Sequence, residues 1–112
     1  MYLVERDAII IRPKKPLLDW INSIEKINIT LKELRSDADL FLLPKAETKE
    51  SLQRKIKENY DYFFENQLFE WYTDLELWPK NRSYKMFCEW FDIEIYKCVF
   101  DTVEEYIEKE LY

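Results

Sequence analysis

Glycine and histidine are both missing from this 112-residue chain, and each absence closes off a block of chemistry. Glycine reaches positive φ and lets backbone come close to a phosphate. Without it there is no Walker loop, dinucleotide-binding fingerprint, kinase phosphate loop, nucleophile elbow or EF-hand loop. The lack of histidine removes the commonest base near neutral pH, the Ser-His and Cys-His nucleophile pairs, and the His-based zinc and facial-triad sites. Catalysis, if any, rests on carboxylates, Lys, Tyr or Cys. Cysteine is scarce too: Cys88 and Cys98 cannot make a four-thiolate zinc site. The residue set therefore calls for no metal and no cofactor. A core of this size needs no disulfide, so both thiols are expected reduced and shielded in a cytoplasmic protein. No apolar run approaches the roughly 18 residues of a membrane span, and Glu5, Arg6 and Asp7 interrupt any signal-peptide core.

Apolar side chains and acids are plentiful. Leu, Ile, Val and Phe supply 34 residues, enough to close a single domain over 1–112. The net charge of −6 argues against direct nucleic-acid binding, which depends on clustered Lys and Arg. The charge is uneven. Residues 59–78 hold five acids and no base, and residues 101–112 hold five acids against Lys109. Residues 12–15 and 80–85 are locally basic. Pro-Lys recurs at Pro13-Lys14, Pro44-Lys45 and Pro79-Lys80, an echo too short to mark a structural repeat.

Hydrophobic patterning predicts an α+β fold. Ala8-Ile9-Ile10-Ile11 reads as a buried strand stopped by Arg12-Pro13. Pro16 suits the first turn of a helix over 16–26. Thr30-Leu31-Lys32-Glu33 is a capping box opening about one helical turn. Leu40-Phe41-Leu42-Leu43 is a second strand, ended by Pro44. Thr48 is placed to cap the longest helix, whose apolar stripe from Leu52 to Tyr72 runs about six turns. Ser83 caps a short helix, residues 92–100 form a third strand, and Thr102-Val103-Glu104-Glu105 opens a last helix. The order β-α-β-α-α-β-α predicts a two-layer domain with helices on a three-stranded sheet. Strands one and two, joined by a helix, are expected parallel with a right-handed crossover; an antiparallel entry is open to the third.

Several segments share a pattern. Glu70-Trp71-Tyr72, Leu77-Trp78-Pro79-Lys80, Lys85-Met86-Phe87 and Glu89-Trp90-Phe91-Asp92 lead into the strand ending at Asp101. Ile11-Arg12-Pro13-Lys14-Lys15-Pro16 precedes Leu18-Asp19-Trp20-Ile21-Asn22, and Leu42-Leu43-Pro44 follows. Over most of the chain these segments resemble a family of small uncharacterised bacterial proteins. The resemblance implies a bacterial, single-domain, cytoplasmic protein. That family carries no assigned activity, so the likeness brings no catalytic residues.

The aromatic content points to function or to core. Aromatics make up 17% of residues, and between Tyr60 and Trp78 they fall on more than one helix face. Either the helix is buried on two sides or its surplus rings form a contact surface. The preferred reading is a non-enzymatic interaction domain that forms a homodimer or docks a protein partner. Its surface would be centred on Glu70, Trp71, Tyr72, Asp74, Trp78, Lys80 and Arg82, where large apolar rings lie beside charges, as in binding hot spots. A second reading is a carboxylate-based enzyme or a divalent-metal binder using Glu70, Asp74, Asp92 and Glu94. A third is an acidic mimic of nucleic acid. Lys14, Lys15 and Lys45, at the ends of strands expected to be parallel, mark a candidate anion-binding edge. No membrane role is expected.

Overall fold

A chain without glycine must turn using residues that carry a Cβ, and only one of them takes a left-handed conformation. Asn81, at φ 56°, is the sole positive-φ residue, and asparagine is among the side chains that best tolerate that region. The helices end instead on extended or near-helical caps: Glu25 and Phe91 are extended, and Asn59 sits at φ −114°, ψ 19°.

The computed structural model describes residues 1–112. It contains strands β1 (Tyr2–Val4), β2 (Arg6–Pro13), β3 (Asp39–Pro44), β4 (Phe91–Tyr96) and β5 (Val99–Asp101). The helices are α1 (Lys15–Ile24), α2 (Leu31–Ser36), α3 (Lys49–Glu58), α4 (Tyr60–Phe69) and α5 (Tyr84–Trp90), with a 3₁₀ turn at Leu75–Leu77. The fold is α+β. Its order differs from the expected β-α-β-α-α-β-α by the added β1 and α2, by the division of the long helix and of the third strand in two, and by the missing last helix.

Every strand pairing is antiparallel. The three-stranded sheet has the order β3-β2-β4, and β1 pairs with β5. The expected parallel pairing of the first two major strands is therefore wrong. Two helices, α1 and α2, separate β2 from β3, so the chain reverses and returns beside β2. Antiparallel pairing separates Lys14 and Lys15, at the end of β2, from Lys45, at the end of β3. They lie at opposite ends of the paired strands, because Arg6 faces Pro44 and Ile11 faces Asp39.

β2 is the central strand and sorts the two faces. Ile9 and Ile11 are fully buried and pair across to Phe41, Ile93 and Ile95 on the helix-covered face. Leu17 and Ile21 of α1, Leu52 and Ile56 of α3, Phe63, Phe64 and Leu68 of α4, and Phe87 of α5 join the same core. Burying a side chain of this size contributes about 1.5–3 kcal/mol. Ala8, Ile10 and Arg12 point to the other face, beside Leu42, Leu40, Tyr96, Glu94 and Asp92. Arg35 of α2 reaches the Arg12 and Asp92 end of that face, while Leu40, Leu42 and Tyr96 stay exposed on it.

The stripe expected to form one long helix is broken at Asn59 into α3 and α4. The Asn59 amide side chain donates to the Lys55 carbonyl at 2.8 Å, so it competes with the helical ladder. The break re-aims the rings of α4 in two directions. Phe63 meets Phe41 on the sheet, while Phe64 meets Phe87, Trp90 and Phe91. This places Phe63 and Phe64 between sheet and helices, while Tyr62 and Phe69 stay exposed. Three caps form where the sequence puts them: Thr30 with Glu33, Thr48 with Ser51, and Ser83 with the Met86 amide.

The third strand is also interrupted. From Ala8↔Tyr96 to Val4↔Val99, one side advances four residues and the other three, the count of a β-bulge. Asp7 occupies the bulge and is fully buried. Its carboxylate accepts from Lys97 Nζ at 2.9 Å and from the Ala46 amide at 2.8 Å, with Lys45 Nζ at 3.2 Å. Burial alone would raise its pKa. The Ala46 amide and the two ammonium groups outweigh that and hold the carboxyl below its ordinary range. Cys98 lies in the same break, and both it and Cys88 are exposed and unbridged. The expectation that both thiols are shielded is overturned, since Cys98 leaves the strand and Cys88 faces away from the core.

Lys97→Met should leave the buried carboxylate half-compensated and cost about 3 kcal/mol, measured by denaturant unfolding. Because the Asp7 carboxyl titrates low when folded, its stabilisation is present above the ordinary carboxylate range. It is lost as pH falls through the depressed folded value, and the variant should unfold at a higher pH than the parent on acidification.

Candidate functional site

The segment from Glu70 to Arg82 turns its aromatic rings inward. Trp78 is buried at 8% exposure, and its indole N–H donates to the Tyr72 carbonyl at 2.7 Å. The Trp20 indole donates to the Leu77 carbonyl at 3.0 Å and meets Tyr72 edge to face. Arg82 lies within 6 Å of both the Trp78 and Phe64 rings and pairs with Asp61 and Glu65. Lys80 donates to the Leu75 carbonyl. The expected hot spot is thus corrected at its centre: Trp78 is a core anchor, and Trp71 and Tyr72 are half-buried against the same core. Two indole donors staple the loop.

The four carboxylates of the second reading are not brought together. Asp74 caps the 3₁₀ turn through the Glu76 amide. Asp92 pairs with Arg35 at 3.0 Å, and Glu94 pairs with Arg12 at 2.8 Å. No three carboxylate or thiol side chains converge to hold a metal ion. Glu70 instead meets Asp39, a partner the sequence reading missed because it lies on β3. Desolvation first, then the hydrogen bond and repulsion from Asp39 and the charge on Asp37, push the Glu70 carboxyl up to about 8. Gln67, itself buried, donates to Asp39 at 3.0 Å. Glu70 opens on a hollow of about 530 Å³ that also reaches Glu33, Leu34, Asp37 and Trp71.

The lysine edge is likewise dispersed. Lys14 donates to the Cys88 carbonyl, Lys15 pairs with Asp19 one turn on, and Lys45 pairs with Asp7.

Exposed apolar side chains gather elsewhere. On the uncovered sheet face Leu40 is 58% exposed, with Leu42 and Tyr96 also exposed. The β1–β5 ribbon adds Tyr2, Leu3 and Phe100. Between the ribbon, Leu42 and residues 103–109 runs a groove of about 730 Å³ lined by Tyr2, Val4, Leu42, Val103, Tyr106 and Ile107. Its rim carries Glu5, Asp101, Glu104 and Glu105 against Arg6 and Lys109. The unbroken apolar run at 40–43 hid this face. Strict alternation in β4, Ile93 and Ile95 against Asp92 and Glu94, was the signal that one side of the sheet stays open.

Comparison of the chain with protein-family models, with curated proteins and with solved structures finds no match in any of the three.

Two outcomes follow from this geometry. Trp78→Ala should cost about 3–5 kcal/mol in denaturant unfolding through the cavity it leaves, with no change in sedimentation. Glu70 titrates higher in the folded chain than unfolded, so its stabilisation is full below the unfolded value and fades as pH rises through about 8. The unfolding midpoint of the parent should therefore fall between pH 5 and pH 9 more steeply than that of Glu70→Gln, which keeps a donor toward Asp39 but cannot titrate.

Proposed function

We propose that this chain is a non-enzymatic protein-interaction domain that docks a basic partner surface with an apolar centre. The docking region is the uncovered sheet face and the groove beside the β1–β5 ribbon. One observation carries the reading: large apolar side chains stay exposed there, Leu40, Leu42 and Tyr96 on the sheet face and Tyr2 and Leu3 beside Leu42 in the groove. Contiguous exposure of this kind is uncommon on a surface with no partner.

Charge selects the class of partner. The groove rim is predominantly acidic, and residues 101–112 hold five acids against Lys109. A second copy would bring like charge to like charge, which disfavours the homodimer. Lys and Arg around an apolar stripe would be complementary. The enzyme reading is weakened by the dispersal of Glu70, Asp74, Asp92 and Glu94. The nucleic-acid mimic is weakened by the pairing of Asp61, Glu65, Asp92 and Glu94 with arginines. No helix is long and apolar enough to cross a membrane. The exposed, unbridged Cys88 and Cys98 fit a reducing, cytoplasmic location.

A fluorescent amphipathic peptide of leucine and lysine at helical spacing tests the reading by anisotropy. It should bind, more weakly as salt rises, and the same peptide with glutamate for lysine should not. Leu42→Glu separates charge from apolar contact, because added negative charge alone would tighten binding. Affinity should fall at least tenfold instead, with the unfolding midpoint little changed. Failure of the lysine peptide to bind, or indifference to Leu42→Glu, would overturn the proposal.

A further inference from the structure

Residues 102–112 run without helix or strand, yet they are written as a helix. Val103, Ile107 and Leu111 recur at a spacing of four, which stacks them on one helical face. Glu105 stands four residues before Lys109, the favourable order for an (i, i+4) pair. Acids at 104 and 105 suit the positive end of a helix. Asp101 Oδ1 already accepts from the Val103 amide at 2.9 Å, one residue ahead of the Thr102 at which the sequence pattern opens the helix. That is the bond an N-cap residue makes to the second residue of the helix it starts. The helix itself does not follow.

The reason is physical. A helix of about ten residues is marginal in water even with favourable residues, because nucleation fixes several dihedrals for one hydrogen bond. Most helical stability in proteins comes from burying an apolar face, and this face has nothing to bury against. Leu111 and Tyr106 are essentially fully exposed, and Val103 and Ile107 are half-exposed at the mouth of the groove.

We propose that residues 102–112 fold into a helix when a basic amphipathic segment occupies the groove, closing over it as the second wall. This rests on the docking reading above and specifies how the site is completed. The sheet face and ribbon form the fixed wall, through Leu42, Tyr2 and Val4. The new helix supplies Val103, Ile107 and Leu111 against the far side of the occupant. Its acids at 104 and 110 then flank that face, with Glu108 beside them, toward the occupant's lysines and arginines. Charge complementarity fixes the occupant. A neutral apolar segment would leave these acids unpaired, and a second copy would face them with its own.

The Cα chemical shifts of isotope-labelled protein, recorded with and without the unlabelled leucine–lysine peptide, read the transition directly. Shifts of residues 103–111 should move to helical values on saturation. Two substitutions at one site isolate the helix from its charge. Glu108→Ala and Glu108→Pro lose the same carboxylate, but only proline prevents the helix. Glu108→Pro should bind at least tenfold more weakly than Glu108→Ala. If the peptide binds while residues 103–111 keep their free-state shifts, or if the two variants bind alike, the coupled helix is wrong and the docking reading survives. If the peptide does not bind at all, both fail. A dimer in sedimentation that excludes the peptide and carries the helical shifts would assign the groove to a second copy and overturn the proposal.

Discussion

A single carboxylate organises the end of the sheet where β1 gives way to β2. Asp7 is wholly removed from solvent, and three groups from two segments reach it: Lys45 and the Ala46 amide after β3, and Lys97 after β4. The lysines are bound in turn, Lys97 to the Ala46 carbonyl and Lys45 to the Lys97 carbonyl. Such a network adds little net stability over an apolar core, because desolvation consumes much of the attraction. What it contributes is alignment. A strand slipped by one residue would move Asp7 to the other face and leave the ammonium groups without their carboxylate. With the register held, Ile9 and Ile11 face the helices, and Ala8, Ile10, Leu40 and Leu42 are left on the open side. The character of the exposed face thus follows from the placement of a buried charge.

At the opposite end of the sheet, arginine does comparable work nearer the surface. Arg12 holds Glu94 and the Arg35 carbonyl, while Arg35 holds Asp92 and the Pro13 carbonyl. These contacts bind α2 to the sheet and engage the acids of β4. Arg82 engages Asp61 and Glu65 in the same way. Arg12, Lys14, Lys15, Arg35, Lys45, Arg82 and Lys97 are paired with acids of the body, and acids outnumber bases on the groove rim. The negative character of the chain is therefore concentrated where its apolar surface is also exposed.

How much of this was legible depends on the range of the interaction. Local signals were accurate. Thr30, Thr48 and Ser83 cap the helices that follow them, Pro16 opens α1, and Ile9 and Ile11 lie in a buried strand. Strand direction was not legible, because alternation and β-branching are the same read either way along a strand. The break at Asn59 depends on one amide side chain competing with the backbone, a contest periodicity does not see. Trp71 and Trp78 carry the composition of a contact surface and of a core alike, and only the fold distinguishes them. The pairing of Glu70 with Asp39 joins positions 31 apart. The segment after Asp101 shows the converse case: its helical signals are genuine, but the body offers no surface to make them effective.

The central position of β2 also bears on the order in which the molecule can assemble. Ile9 pairs with Phe41 on one side and with Ile95 on the other, so one edge of the strand can close early while its second edge waits for distant chain. At ribosomal rates of about 5–20 residues per second, the interval between synthesis of Ile9 and of Ile95 is on the order of 4–17 seconds. A β2–β3 pair made in that time has one edge unsatisfied and an Ile-rich face uncovered by α5, the condition under which strands recruit neighbouring chains. Such long-range pairing also slows the final closure, since the loop entropy must be lost before the contacts form. Nascent chains of this protein should therefore depend on shielding of that edge until β4 arrives, a demand its finished form does not reveal.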